Sequence, residues 1–327
     1  MKTILYLNHD FFIYDRAIAE ELRKRGYEVL FRKFVRQAGF LDRRLCKKHG
    51  ITARQYAADR CQASILSELT KKNQHVDVVL VTSGQAMTED TLKKLHQMYP
   101  QAKFIWNLWD SINQNDHFKL IQKYFDILIS FDKIEAEQYG FLYSPDFYIK
   151  EVAGQQKKYD YCFVATYTEY RNNVLQDMLS KVGGKHNFIY LKETPNNRWL
   201  PTIRRICSGE EKKLAERNIY YKALEYDEML EVFAQSRCII DIAHPGQTGL
   251  SMRPFEAMAV KSKLLTTNEM ICRYDFYDKD NIYIADPENI EMPPDDFLDT
   301  PYKDIPEEIY RRYSVGSWCD NIQRLIE

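Results

Sequence analysis

The chain has 327 residues, 45% of them hydrophobic and 28% charged, with a formal net charge of −1. That length suits two medium domains with substantial cores of their own, and the composition is ordinary for a soluble globular protein. No stretch approaches the roughly 18–20 apolar residues of a bilayer span, which excludes an integral helical membrane protein.

The N-terminus, MKTILYLNHDFF, has a short apolar run that turns polar with no small-residue cleavage site. It is read as a first strand and not a signal peptide, and the protein is expected in the cytoplasm. DRAIAEELRKRG follows, where Ala17, Ile18, Leu22 and the terminal Gly26 fit an amphipathic helix with a glycine stop. YEVLFRKF reads as the second strand, the region around Arg54 to Leu69 as a long basic helix, and VDVVLVTSG as a β-branched strand ending in a turn. TEDTLKKLHQMYP reads as a capped helix, and AKFIWNLW and FDILISF as strands with a short polar helix between them. This βαβα order implies a parallel sheet covered on both faces over residues 1–150.

SPDFYIKEVAGQQKKYD, with its Pro and Gly, reads as a linker. The alternation then restarts over residues 151–327: YDYCFVAT strand, YRNNVLQDMLSKVG helix, KHNFIYLK strand, a charged helical block, NIYYKAL strand, YDEMLEVFAQS helix and RCIIDIA strand. The expected fold class is α/β, with two facing Rossmann-like doubly wound domains. The acidic C-terminal segment is free to pack back on the first of them. In such sheets ligands sit outside the carboxyl ends of the strands.

Seven cysteines, at 46, 61, 162, 207, 238, 272 and 319, are odd in number, scattered and without a CxxC pair. They are expected to be reduced thiols, mainly in core positions, and not a disulfide framework or zinc site. Charge is unevenly placed. Arg16 to Arg60 carries thirteen Lys or Arg against five Asp or Glu, whereas Asp275 to Glu308 carries twelve acids against two lysines. The basic stretch is either a solvated helical face or a surface for anionic lipid headgroups, each basic residue contributing about 1 kcal/mol near such a surface. Nucleic acid is not expected as a partner, because no binding motif accompanies the charge.

HPGQTGLSMRPFEAMAVKSKLLTTN, residues 244 to 268, is longer than a strand-to-helix connection requires. Gly246 and Gly249 allow close approach of backbone to a ligand or a positive φ. With a helix beginning near Pro254, its free amides and dipole make an anion site with Arg253 beside it. Glu256 would then stand in the first turn, either accepting hydrogen bonds from a ribose or simply complementing the dipole.

Taken together, YDEMLEVFAQSRCIIDIAHPGQTGLSMRPFEAMAVKSKLLTTN resembles the donor-binding region of nucleotide-sugar glycosyltransferases of the GT-B fold, most of all those of bacterial capsule, lipopolysaccharide and exopolysaccharide biosynthesis. FEAMAVKSKLLTTN is similar to that family's glutamate-bearing helix with its following turn and strand, and the resemblance implies that Glu256 holds the nucleotide ribose. FVATYTEYR is similar to the family's first strand and turn of the second domain. There a glycine is followed by an arginine and, five residues on, a lysine, the two basic groups gripping the diphosphate, and the corresponding residues here are Ala165, Thr166 and Arg171. One of the two cations is therefore absent. Two further departures are Thr248, where retaining members carry a second glutamate, and LNHDFFIYD, which lacks the glycine-rich acceptor loop. The resemblance covers roughly residues 160 to 285, and the first half only by the order of its elements.

On this resemblance the chain is expected to be a glycosyltransferase moving a sugar from a nucleotide-sugar donor to a saccharide or lipid-linked saccharide acceptor. The diphosphate would leave with the help of helix amides and basic side chains, without a metal or other cofactor. Arg171 and Arg253 are the candidates for the diphosphate, Thr166 lies beside it, and Gly249 and Leu250 supply backbone amides. His244 contacts phosphate or sugar, or is structural. His9 and Asp10, just after the first strand, are candidates to deprotonate or orient the acceptor, with Asp110 as an alternative. Each of these carboxylates also reads as a turn cap. Asp295 and Asp296 are assigned to a solvated segment. Two other classes share this architecture: a nucleotide-sugar epimerase, and a non-catalytic GT-B partner protein.

Overall fold

A computed structural model describes residues 1–9, 13–36, 38–114, 118–152, 155–182, 185–193 and 217–327. The chain divides into two compact units, one formed by Met1–Ile149 with Ser314–Glu327 and the other by Lys150–Tyr313.

In the first unit six parallel strands, β1 (Thr3–Asn8), β2 (Glu28–Lys33), β3 (Val78–Thr82), β4 (Lys103–Leu108), β5 (Ile127–Ser130) and β6 (Leu142–Tyr143), lie in the order β2-β1-β3-β4-β5-β6. The strands β1 and β3 are buried along their whole length. Helices cover both faces of a parallel sheet, so its central strands read as continuous apolar runs. Leu5, Leu7, Val79, Val81, Phe104, Trp106 and Leu108 face one core, which is closed by Ile65, Leu66 and Leu69 of helix Ala53–Lys72 and by Leu92 and Leu95 of helix Glu89–Met98. Thr88 caps the latter, its hydroxyl accepting from Thr91 N at 3.2 Å.

Helix Tyr14–Lys24 buries Ile18, Ala19 and Leu22, and the chain turns after it at Gly26, whose φ of +87° suits glycine. Against it packs helix Val315–Ile326, which returns from the far end of the chain. Arg25 ties the two together, pairing with Asp320 at 2.8 Å and donating to the Gly316 carbonyl at 2.7 Å. Val315 N donates to the Tyr148 carbonyl at 2.9 Å, and the amines of Lys2 and Lys103 reach the last carbonyls, Ile326 and Leu325, at 2.8 and 2.6 Å. Cations are favoured there by the helix dipole.

The second unit also has six parallel strands, β7 (Tyr159–Thr166), β8 (Asn187–Lys192), β9 (Ile219–Tyr220), β10 (Ser236–Asp241), β11 (Lys263–Thr266) and β12 (Ile282–Ile284), in the order β12-β11-β10-β7-β8-β9. Winding runs outward from β7 through β8 and β9, then returns to the other side for β10 to β12. The switch point is therefore the β7/β10 junction; in the first unit it lies between β1 and β3. Both sheets are the doubly wound α/β sheets expected from the alternation.

The strand expected over NIYYKAL is confined to Ile219–Tyr220, because the chain bends at the next two residues. The charged block expected before it lies outside the described residues. Among the described cysteines Cys46, Cys162, Cys238 and Cys319 are buried, Cys61 is half-buried and Cys272 exposed, all as free thiols; Cys207 lies outside the described residues. Among the described residues no helix is long and apolar enough to cross a membrane.

Candidate functional site

At the β7/β10 switch point the buried Asp241 ends β10 as an acceptor of three groups. Arg253 Nη1 donates to its Oδ1 at 2.8 Å, Ser251 Oγ lies at 3.4 Å from the same oxygen, and Thr266 Oγ1 donates to Oδ2 at 3.0 Å. Arg253 spans the junction, its Nη2 donating to the Val164 carbonyl of β7 at 2.6 Å and its guanidinium lying 5.9 Å from the Phe163 ring. Its Nε is buried without a hydrogen-bond partner. Arg171 is positioned from the other side by helix Glu169–Ser180, which is capped by Thr168, and donates through Nε to the Ile242 carbonyl at 3.1 Å. Its two terminal nitrogens make no hydrogen bond among the described residues. Burial first, and then the neighbouring Arg253 cation, hold the Arg171 guanidinium below its ordinary pKa, with Asp241 opposing them. Asp241 thus pairs directly with Arg253 and acts on Arg171 only through its charge, and Arg171 keeps its terminal donors to spare. An anion placed there would relieve the uncompensated charge. Thr166 is exposed at the end of β7.

The helix after β10 is Met252–Ala259, beginning two residues before Pro254. Ser251 is its cap, with its hydroxyl 3.4 Å from Arg253 N, and Pro254 takes the third position, where an N–H would have no intrahelical acceptor. Glu256 therefore stands beyond the first turn and not within it. The dipole reading loses its footing there, since the effect fades within that turn. Glu256 is 3% exposed, an unusual place for a carboxylate.

In the loop before this helix, Gly246 (φ +77°) occupies the third place of a turn closed by Gln247 N to the His244 carbonyl at 3.0 Å. His244 is exposed and its Nδ1 donates to the Pro245 carbonyl at 2.9 Å. Gly249 and Leu250 are buried. Asn268 fixes that strand of backbone, donating to the carbonyls of Thr248 and Gly249 at 3.3 and 3.2 Å.

The first unit gathers a second set at the carboxyl ends of β1, β3 and β4. His9 Nε2 donates to the Gln85 carbonyl at 2.8 Å, and the imidazole meets the Phe34 ring edge-on at 4.7 Å. A carbonyl only accepts, so Nδ1 keeps the lone pair. Burial, aided by the Arg54 and Lys33 cations, lowers the His9 pKa against the opposing Gln85 bond and Asp110 charge; a neutral imidazole at neutral pH results. Asp110 Oδ2 accepts from Ser83 Oγ at 2.9 Å. The turn after β3 is strained, with Ser83 (φ 64°) and Ala86 (φ 67°) left-handed beside Gly84 (φ 80°), where any Cβ would collide with the Trp106 indole. Two non-glycine residues in that region cost roughly 1–2 kcal/mol each, and such strain gathers at functional sites. Asp10 lies outside the described residues. Asp241 and the strained turn were not singled out from sequence; the signals were an acid closing the apolar run CIID and the small-residue run TSGQA.

No family model matches the sequence, and no curated protein is significantly similar to it. Solved structures do match in shape. HepE of Anabaena, in complex with UDP and glucose, superposes with a TM-score of 0.64 at 12% identity over 100% of this chain and 99% of its own. Sucrose-phosphate synthase of Thermosynechococcus elongatus gives 0.60 at 12% identity over 99% and 98%. The UDP-forming α,α-trehalose-phosphate synthase of Burkholderia xenovorans, in complex with glucose-6-phosphate, gives 0.58 at 12% identity over 100% of both chains.

The fold is GT-B.

Within this GT-B chain the second unit brings Arg171, Arg253 and the capped start of helix Met252–Ala259 to one switch point. His9 and Asp110 belong to the first unit. Among the described residues no group of three or more His, Cys, Asp or Glu side chains is placed to share a metal ion.

Proposed function

We propose that the chain is a glycosyltransferase, with the second unit binding a nucleotide-sugar donor and the first presenting the acceptor. The observation that carries this reading is the Arg171–Arg253–Asp241 cluster at the β7/β10 switch point. It provides positive charge beside a capped helix start, where a diphosphate is best stabilised as its charge grows on departure. In this reading Arg171 meets the diphosphate directly and Arg253 mainly sets the local field, because its fork is already engaged. Thr166, His244 and the amides of Gly249 and Leu250 complete the donor site, and Glu256 holds the ribose. His9 or Asp110, with Asp10 as the other candidate, takes the proton of the acceptor hydroxyl. That HepE is found with UDP and glucose supports a nucleotide-sugar donor.

A thermal-shift screen of UDP-, GDP-, CMP- and dTDP-sugars tests the reading, since a ligand that binds only the folded state raises the melting temperature. One donor class is expected to raise it, and turnover on a saccharide acceptor is expected to survive EDTA, because cationic side chains and helix amides carry the leaving-group charge. Turnover abolished by EDTA and restored by Mg²⁺ or Mn²⁺ would assign that charge to a metal instead. Isomerised donor without transfer would make the protein an epimerase, and binding without either product a non-catalytic partner.

A lipid-linked acceptor in surface-polysaccharide synthesis suits the basic surface of the first unit and would place the protein at the inner face of the membrane. Arg44, Lys47 and Lys48 are exposed and Arg43 half-exposed around Leu41, itself 61% exposed. Co-sedimentation with vesicles containing anionic lipid is expected at low salt. It should weaken as salt rises, because charges are screened beyond about 8 Å at physiological ionic strength, and should fall when Arg43, Arg44, Lys47 and Lys48 are all replaced by Gln. Binding indifferent to lipid charge and to the four substitutions would leave an ordinary solvated face.

A further inference from the structure

The turn that follows β3 has a partner for every carbonyl from Thr82 to Ala86. Two are taken by its own amides. Gly84 N donates to the Thr82 carbonyl at 2.8 Å, a γ-turn about Ser83 in the rare positive-φ form. Met87 N donates to the Gly84 carbonyl at 3.1 Å, with Ala86 left-handed in the third place, where glycine is usual. The other three are taken by side chains from three separate elements of the first unit. Trp106 Nε1 of β4 donates to the Ser83 carbonyl at 3.1 Å, Gln62 Nε2 of helix Ala53–Lys72 to that of Ala86 at 2.8 Å, and His9 Nε2, just after β1, to that of Gln85 at 2.8 Å.

Trp106 and Gln62 anchor the turn. Gln62 is 1% exposed and its amide is fully engaged, for its Oε1 accepts from both Thr88 N and Thr88 Oγ1 at 3.1 Å. The Trp106 indole packs on Phe118 and Phe125, and its Nε1 stands 2.4 Å from where a Cβ on Gly84 would lie. Ser83, Gly84, Ala86 and Met87 are buried. Connections seldom run buried, because their polar groups then need partners from elsewhere. Non-glycine residues persist in the left-handed region where the surroundings over-determine them, and here Trp106 and Gln62 do so. The third donor, His9, is half-buried, and of the three it is the one able to exchange a proton near neutral pH.

We propose that this turn is a positioning device for His9: its Gln85 carbonyl keeps a proton on Nε2, so that Nδ1 receives the acceptor's proton, and Gln62 and Gly84 are positioning residues that act through the turn. This rests on the glycosyl-transfer reading above and selects His9 from its candidates. As the acceptor oxygen bonds to the anomeric carbon, its proton passes to Nδ1. The bond from that carbon to the diphosphate oxygen breaks, and the electron pair leaves with the nucleoside diphosphate. The imidazolium keeps its Nε2–H on the Gln85 carbonyl, whose dipole favours the cation, and then returns the Nδ1 proton to water. Replacing Gln85 does not remove a main-chain carbonyl, which stays in place only while the turn does. The residues that hold the turn therefore carry the test.

A long-range proton–nitrogen NMR spectrum of the full chain reads the tautomer without activity. Wild type at neutral pH is expected to show His9 in the Nε2–H form alone. Gln62→Leu, which keeps the bulk but not the amide, and Gly84→Ala, whose methyl strikes the indole, are each expected to bring in the Nδ1–H form. Should Gly84→Ala not fold, Gln62→Leu decides alone. A wild-type His9 in the Nδ1–H form, or an unchanged spectrum in variants that circular dichroism shows to be folded, overturns the proposal.

Turnover separates positioning from a merely structural role. His9→Ala is expected to lower kcat about 10²-fold or more with little change in KM. Gln62→Leu should lower it roughly 10- to 100-fold through misplacement of the ring. Added to His9→Ala, Gln62→Leu should bring no further loss, because residues that act as a unit are not additive. A full second loss in the double variant, or wild-type kcat in His9→Ala, overturns the proposal and leaves the transferase standing. The tautomer change in variants of a protein that transfers sugar from no donor keeps the turn's hold on His9 and overturns the functional reading instead.

Discussion

Asp241→Asn is expected to destabilise the second unit by about 3 kcal/mol, the usual cost of breaking a buried ion pair from one side. The carboxylate side chain is 4% exposed and that of Arg253 16%, so solvent screens little of the loss. Asparagine keeps the shape but not the charge. Arg253 and Arg171 would then repel each other without the Asp241 charge that opposes the repulsion, adding to the burial that already weighs on Arg171. In a unit of this size 3 kcal/mol corresponds to a fall of roughly 6–12 °C in melting temperature. Arg253→Met should cost less, because Ser251 and Thr266 still reach the stranded carboxylate. The double variant should recover part of the sum, which is the signature of direct coupling. A loss below about 1 kcal/mol for Asp241→Asn would mean that the pair is screened as surface pairs are. If the donor binds as proposed, saturating donor should restore some of the lost melting temperature, since its diphosphate would bring an anion to the two guanidinium groups.

Glu256→Ala is expected to weaken donor binding by about 1.5–3 kcal/mol, or roughly 10- to 150-fold, which is what hydrogen bonds to a charged group usually contribute. Alanine is the best helix former, so helix Met252–Ala259 should survive the change. Circular dichroism and isothermal titration with the donor found in the thermal screen would separate the two effects. Glu256→Gln, which still accepts hydrogen bonds, should lie between them. A folded alanine variant with wild-type affinity would remove Glu256 from the donor site, leaving it a buried carboxylate of the helix alone.

Much of the fold was legible because parallel strands buried on both faces leave apolar runs that the eye can follow: TILYL, VDVVLV, FDILIS and CIIDI each fall on a strand. Helix ends were legible where a cap and a stop bracket a periodic stretch, as from Thr88 to Pro100. At Ser251 a cap stands in the same way before helix Met252–Ala259, with Pro254 in its first turn. The order of strands in each sheet was not legible, because it depends on which side each crossover takes. For the same reason Asp241 did not stand out. Its meaning comes from Arg253, twelve residues away, and from Val164, in a strand that neighbours it only once the sheet is wound.

Helix Val315–Ile326 belongs to the first unit although the whole second unit precedes it in the chain. During translation the first sheet must therefore wait, with the face that this helix covers still bare around Ile18 and Tyr148, while Lys150–Tyr313 emerges and is free to fold. The order of synthesis and the order of completion are reversed, so the unit made first is finished last. Domains commonly fold as units in the order they are made, and exposed apolar surface on a waiting one invites aggregation. A nascent chain that ends at Tyr313 and is held on the ribosome by a tether long enough to clear the exit tunnel should thus have a second unit that resists protease while its first remains open to it.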